Sequence, residues 1–126
     1  MQPIKHSPEV ETISTRRVVV VDGDRDAAEM LHMFFRLMEL ECSLIAPDHA
    51  AVSTIRRLDP DAVILDLDLP NLRALEMARE IRAPVIYVTE RDPAGVSDVG
   101  APVIRKPRDR FEELLKLMEM VLALER

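Results

Sequence analysis

The run AVILDLDLP, residues 62–70, carries four apolar residues into two aspartates, Asp66 and Asp68, that flank one leucine, and Pro70 stops it. A carboxylate taken out of water is costly unless it is paired or binds a cation, so an apolar run that ends in two acids points to a site. An earlier run, RRVVVVDGD, closes in the same way on Asp22, Gly23 and Asp24. Two further apolar runs end in groups that complement acids: PVIYVT ends on Thr89, and IRKP holds Lys106. Carboxylates brought together repel, and a hard divalent cation relieves the repulsion; Mg2+ takes one or two carboxylates together with phosphate oxygens and water. A lysine supplies a point charge for phosphate, and a threonine hydroxyl can hydrogen-bond a phosphoryl oxygen. Together these groups suit phosphoryl transfer onto a carboxylate. Spacing alone leaves open whether Asp66 or Asp68 is the acceptor.

For these groups to meet, the runs that carry them must lie side by side. The continuous apolar runs in RRVVVVD (residues 16–22), CSLIA (42–46), DAVILD (61–66), PVIYVT (84–89) and APVIRKP (101–107) read as five strands. Between them, apolar residues recur at helical spacing over Asp26–Leu40, His49–Leu58 and Leu72–Ile81, and Asp109–Leu124 closes the chain as a helix. Asp24 or Asp26 is placed to cap the first helix. Strands that are apolar throughout and alternate with helices belong to a parallel sheet covered on both faces. In such sheets ligands bind beyond the carboxyl ends of the strands, which is where Asp22, Asp66, Thr89 and Lys106 fall.

The 126 residues fit one domain. Residues 1–15, with two prolines and no periodicity, read as a flexible N-terminal arm, and 16–126 as the domain. A net charge of −6 and a 3% aromatic content without tryptophan oppose nucleic-acid binding. No apolar run reaches the length of a membrane span, and no signal-peptide core precedes the domain. The single cysteine, Cys42, excludes an internal disulfide and fits a reducing, cytoplasmic setting. His6, His32 and His49 share no metal-ligand spacing.

The four segments VVVVDGD, DAVILDLDLP, PVIYVTE and IRKP resemble the receiver domain of two-component response regulators, over roughly Arg17 to the C-terminus. The resemblance implies a three-layer α/β sandwich with a parallel sheet in the flavodoxin-like order 2-1-3-4-5. It makes Asp66 the phosphoacceptor, four residues before the proline, charged by a sensor histidine kinase or phosphotransfer protein. Mg2+ is then held by Asp22, Asp66 and the backbone carbonyl of Asp68, with Asp24 a further candidate. Lys106 pairs with the phosphoryl group, Thr89 senses it, and the Lys106–Pro107 bond is cis. The expected product is a single-domain regulator, not an enzyme, that signals by protein contact.

The chain also departs from the family pattern. Gly23 stands where an acid normally contacts the metal, and Ala74 replaces a turn glycine. Ten residues separate Thr89 from Gly100, so the fourth helix, between the fourth and fifth strands, is expected to be short or absent. Val103 replaces the aromatic switch residue. These changes support an alternative, a degenerate receiver that binds partners without phosphorylation. A more distant rival, the haloacid-dehalogenase phosphatases, shares the D-x-D start but places its nucleophile after the first strand of the core.

The outer surfaces carry extra apolar residues. On the closing helix Phe111, Leu114, Leu115, Met118 and Leu122 form the expected core stripe, and Leu117, Met120 and Leu124, with Val121 at their edge, a second one. On the first helix Ala27, Met30, Leu31, Phe34 and Met38 are expected inward, and Met33, Phe35 and Leu40 off that face. Such side chains suit a partner surface, self-association as a homodimer being the simplest use.

Overall fold

The computed structural model describes residues 16–96, 99–107 and 111–124, without the side chains of Leu72 and Phe111; the N-terminal arm lies outside the described residues. The β-branched and aliphatic runs form β1 (Arg17–Val21), β2 (Glu41–Ile45), β3 (Ala62–Asp66), β4 (Val85–Thr89) and β5 (Val103–Arg105). They make one five-stranded sheet in the order β2-β1-β3-β4-β5, every pairing parallel. The helices are α1 (Arg25–Leu37), α2 (Ala51–Leu58), α3 (Arg73–Ala78) and α4 (Phe111–Ala123). Each observed helix is shorter at one or both ends than the spacing predicts. Glu39 shows why for α1: its φ of 65° turns the chain left-handed and out of the helix into β2.

Side chains alternate across the sheet, so each strand feeds two cores. Val18, Val20, Ile64, Ile86, Val88 and Ile104 pack under α1 and α4. Val19, Val21, Val63, Leu65 and Tyr87 pack under α2 and α3. β3, in the middle, is buried at all five positions. Cys42 lies in the first core, and burial pushes its thiol up to about 12.

Two expected helix faces are corrected. On α4 the buried residues are Leu117, Met118 and Val121, with Leu114, Met120 and Leu124 partly covered, whereas Leu115 and Leu122 are 44% and 49% exposed. The helix is apolar on two stripes, so periodicity could not choose between them; the sheet takes the stripe at 114, 117, 118 and 121. On α1 Phe35 is fully buried and Leu40, just beyond the helix, nearly so, while Met38 is exposed with Met33 and Leu37. Ala27, Ala28, Leu31 and Phe35 form the inward row, and Met38 caps the helix end, outside that row.

Between β4 and β5 the described residues hold only a 3-10 turn, Pro93–Gly95, as the shortness of this segment predicts. Val96, Val99, Ala101 and Val103 lean on the second core in place of a full helix. No peptide bond among the described residues is cis, so Lys106–Pro107 is trans, contrary to what the resemblance implies; trans is the intrinsically favoured form of such bonds.

The face assignment of α4 is tested by two truncations. Leu117→Ala is expected to cost about 2–5 kcal/mol through lost burial and a residual cavity. Leu115→Ala is expected to stay within about 0.5 kcal/mol of the parent. Urea unfolding followed by circular dichroism reads both; equal losses would contradict the assignment.

Candidate functional site

Parallel pairing sets the geometry. Val21 stands opposite Leu65, Asp66 opposite Val88 and Thr89 opposite Arg105, so the carboxyl ends of β1, β3, β4 and β5 open on one rim. Asp22, Asp66, Thr89 and Lys106 are the polar and charged residues found buried among the described ones.

Lys106 organises the first cluster. Its Nζ lies 2.9 Å from Asp22 Oδ1 and 3.2 Å from Asp66 Oδ2, one ammonium between two carboxylates. The backbone completes the frame. Asp24 N–H donates to Asp22 Oδ1 at 2.7 Å, Gly23 N–H to Asp66 Oδ2 at 3.1 Å, and Asp68 N–H to Asp66 Oδ1 at 2.9 Å. Burial raises the Asp22 carboxyl to about 6, and the Asp66 charge adds to the rise, against the pull of the Asp24 amide and Lys106. Burial alone would lower the Lys106 ammonium, but the bonds and charges of Asp22 and Asp66 outweigh it and hold the group above its usual value.

A second cluster sits beside the first. Thr89 Oγ1 donates to Asp68 Oδ1 at 2.8 Å, Glu90 N–H donates to Asp68 Oδ2 at 2.7 Å, and Arg91 N–H donates to Thr89 Oγ1 at 3.1 Å. The Arg91 guanidinium lies 3.3 Å from Asp68 Oδ1. Partial burial alone would raise the Asp68 carboxyl, but the Glu90 amide, the Thr89 hydroxyl and the charges of Arg91 and Lys106 bring it below the usual carboxylate range. Sequence reading selected Asp68 and Thr89 separately but not their bond, and it missed Arg91, whose only signal is a position two residues past the strand-end threonine.

The Asp24 side chain serves the helix: its Oδ1 accepts from Asp26 N–H and Ala27 N–H and caps α1. For a divalent cation, Asp22 Oδ2 is buried with no hydrogen-bond partner among the described atoms, an acceptor that a cation would satisfy. Two carboxylates fit Mg2+, which keeps most of its waters. They do not make an all-protein cage, and among the described residues no group of three or more His, Cys, Asp or Glu is arranged to hold a metal. Gly23 has no side-chain oxygen to offer a cation. A Cβ built there would lie 3.4 Å from Leu69 and 3.6 Å from Asp66 Oδ2, ordinary contact distances.

The sequence model of the family described as "Response regulator receiver domain" matches residues 18–116. The chain belongs to that family. The DNA-binding response regulator MtrA of Mycobacterium tuberculosis is 34% identical over 80 residues, covering 60% of this chain and 35% of its own length. The response regulator MprA of Mycolicibacterium vanbaalenii is 33% identical over 116 residues, covering 84% of this chain and 50% of its own. The receiver thus spans about a third to a half of the length of these relatives. Among solved structures, a putative response regulator from Chloroflexus aurantiacus aligns with a TM-score of 0.71 at 26% identity, over 86% of this chain and 98% of that one. The chemotaxis response regulator CheY4 of Vibrio cholerae gives the same TM-score of 0.71 at 22% identity, over 85% and 98%, a likeness of fold.

The raised Asp22 carboxyl has a signed consequence. Between about pH 4 and pH 6 the folded receiver keeps a proton that the unfolded chain has lost, so this residue makes stability fall as pH rises through that window. Asp22→Asn removes the effect. The variant is expected to be more stable than the parent by about 1–3 kcal/mol at pH 7, with the gap shrinking toward pH 4. Calorimetric melting at both pH values checks it; a variant that melts at or below the parent at pH 7 contradicts it.

Proposed function

We propose that this receiver accepts a phosphoryl group on Asp66 from the phosphohistidine of a histidine kinase or phosphotransfer protein and passes the signal on by protein contact in the cytoplasm. The observation that carries this reading is the Asp66 carboxylate buried at the end of the central strand with the Lys106 ammonium 3.2 Å away. An Asp66 oxygen attacks phosphorus, the new O–P bond replaces the N–P bond of the donor, and the electron pair returns to the donor imidazole. Lys106 balances charge on the transferred group. Gly23 N–H and Asp68 N–H hold the carboxylate in place for the attack.

Asp22 and Asp66, with the Asp68 carbonyl, are the groups that would hold Mg2+, which supplies charge neutralisation to the phosphoryl oxygens when bound. Gly23 in place of an acid weakens that site. The same replacement favours the second reading, a receiver that binds its partner without phosphorylation, and so do Val103 and the 3-10 turn that is all the described residues hold between β4 and β5. For contact with partners, the exposed large apolar groups among the described residues are Met33, Leu37, Met38, Leu44, Leu115 and Leu122.

Intact mass after incubation with acetyl phosphate separates the readings. The expected result is a phosphoryl adduct that grows with Mg2+ and is absent from Asp66→Asn. No adduct at any Mg2+ concentration would leave the phosphorylation-independent reading standing. Because the space beside Gly23 admits a Cβ, Gly23→Asp is expected to fold and to bind Mg2+ about tenfold more tightly, read by titration calorimetry. Unchanged affinity would mean that residue 23 does not face the ion.

A further inference from the structure

We infer that the Asp68 side chain is a latch on Thr89, which must open before Thr89 can serve a phosphoryl group on Asp66. The inference rests on the phosphoacceptor reading and adds to it a competitor built into the site. A threonine hydroxyl has one proton to donate, and here it goes to Asp68 Oδ1 at 2.8 Å. A phosphoryl oxygen accepts hydrogen bonds and cannot share that proton, so Thr89 serves Asp68 or the phosphoryl group, not both. The acceptor is a charged carboxylate, which makes the bond stronger than a neutral one, and Thr89 is fully buried.

The rest of the cluster makes the latch releasable. When the hydroxyl turns away, Asp68 keeps Glu90 N–H on Oδ2 at 2.7 Å and the Arg91 guanidinium 3.3 Å from Oδ1. The carboxylate is therefore not left without partners, which would carry a far larger cost. Thr89 Oγ1 also accepts from Arg91 N–H at 3.1 Å, so movement of the hydroxyl is felt by the backbone that leads into the turn at Pro93–Gly95. Opening thus loosens the chain beyond β4. Asp68 acts through Thr89 and is a positioning residue.

The test uses beryllium fluoride with Mg2+ as an acyl-phosphate mimic on the parent, Asp68→Ala, Asp68→Asn, Thr89→Ala and the Asp68→Ala/Thr89→Ala double variant. Removing the latch is expected to tighten binding of the mimic about tenfold, the scale of one hydrogen bond to a charged group. Asp68→Asn, which keeps an oxygen and loses the charge, is expected to fall between parent and Asp68→Ala. In the Thr89→Ala background the Asp68→Ala effect is expected to vanish, because the two residues act as a pair. A tightening of less than twofold, or the same tightening with and without the Thr89 hydroxyl, overturns the inference while leaving the phosphoacceptor reading intact. If no protein of the set binds the mimic or takes a phosphoryl adduct, that reading falls and this inference with it. If Asp68→Ala does not fold, amide exchange on the parent decides: the mimic is expected to speed exchange at Arg91 about tenfold, and an unchanged rate overturns the latch.

Discussion

Asp22 and Asp66 lie close enough to share one ammonium, and burial of two like charges together is tolerable only because Lys106 stands between them. The pairing holds together strands that are far apart in sequence, β1, β3 and the end of β5. It also constrains the sheet. Lys106 N–H donates to Thr89 O at 2.7 Å and Leu67 N–H to Val88 O at 2.8 Å, so each charged or polar residue leaves its strand at a fixed height along the rim. A shift of one residue in any strand would turn its core side chains to the opposite face and break the charge pairing at the same time. Core packing and the polar rim therefore specify the same register.

The strand-end groups were legible in the sequence because the strands are short, apolar and continuous, so their ends are marked by the first residue that cannot be buried alone. Asp22, Asp66 and Thr89 share that mark, whereas on the last strand Arg105 comes before Lys106. The sheet order followed from resemblance, not from pattern, since nothing in a β-branched run says which neighbour it pairs with. The faces of α1 and α4 were misread for a physical reason. Both helices carry apolar residues beyond one stripe, and only docking on Val18, Val20, Ile86 and Ile104 decides which stripe is buried. The bond from Thr89 to Asp68 was hidden because it joins the ends of two adjacent strands through side chains, and no local spacing encodes such a pair. Asp24 could be read as a ligand or a cap from its position, and its side chain accepts the first amides of α1 as a cap does.

Two polar clusters share the rim with different roles. One is built from charges that cannot leave: Lys106 and Asp22 are buried and held by each other. The other, around Asp68, lies nearer solvent and contains a hydroxyl whose partner can be exchanged without stranding a charge. Rigid charge beside movable hydrogen bonds is a workable arrangement for a site that must keep its shape while changing its contacts.

The short segment between β4 and β5 has a consequence for the sheet border. Without a full helix over that end among the described residues, the outer strand is more open than in a fully covered sheet. β5, however, spans only Val103–Arg105. An edge this short offers another chain few free backbone groups on which to add a strand, so brevity does at this border part of what cover does elsewhere.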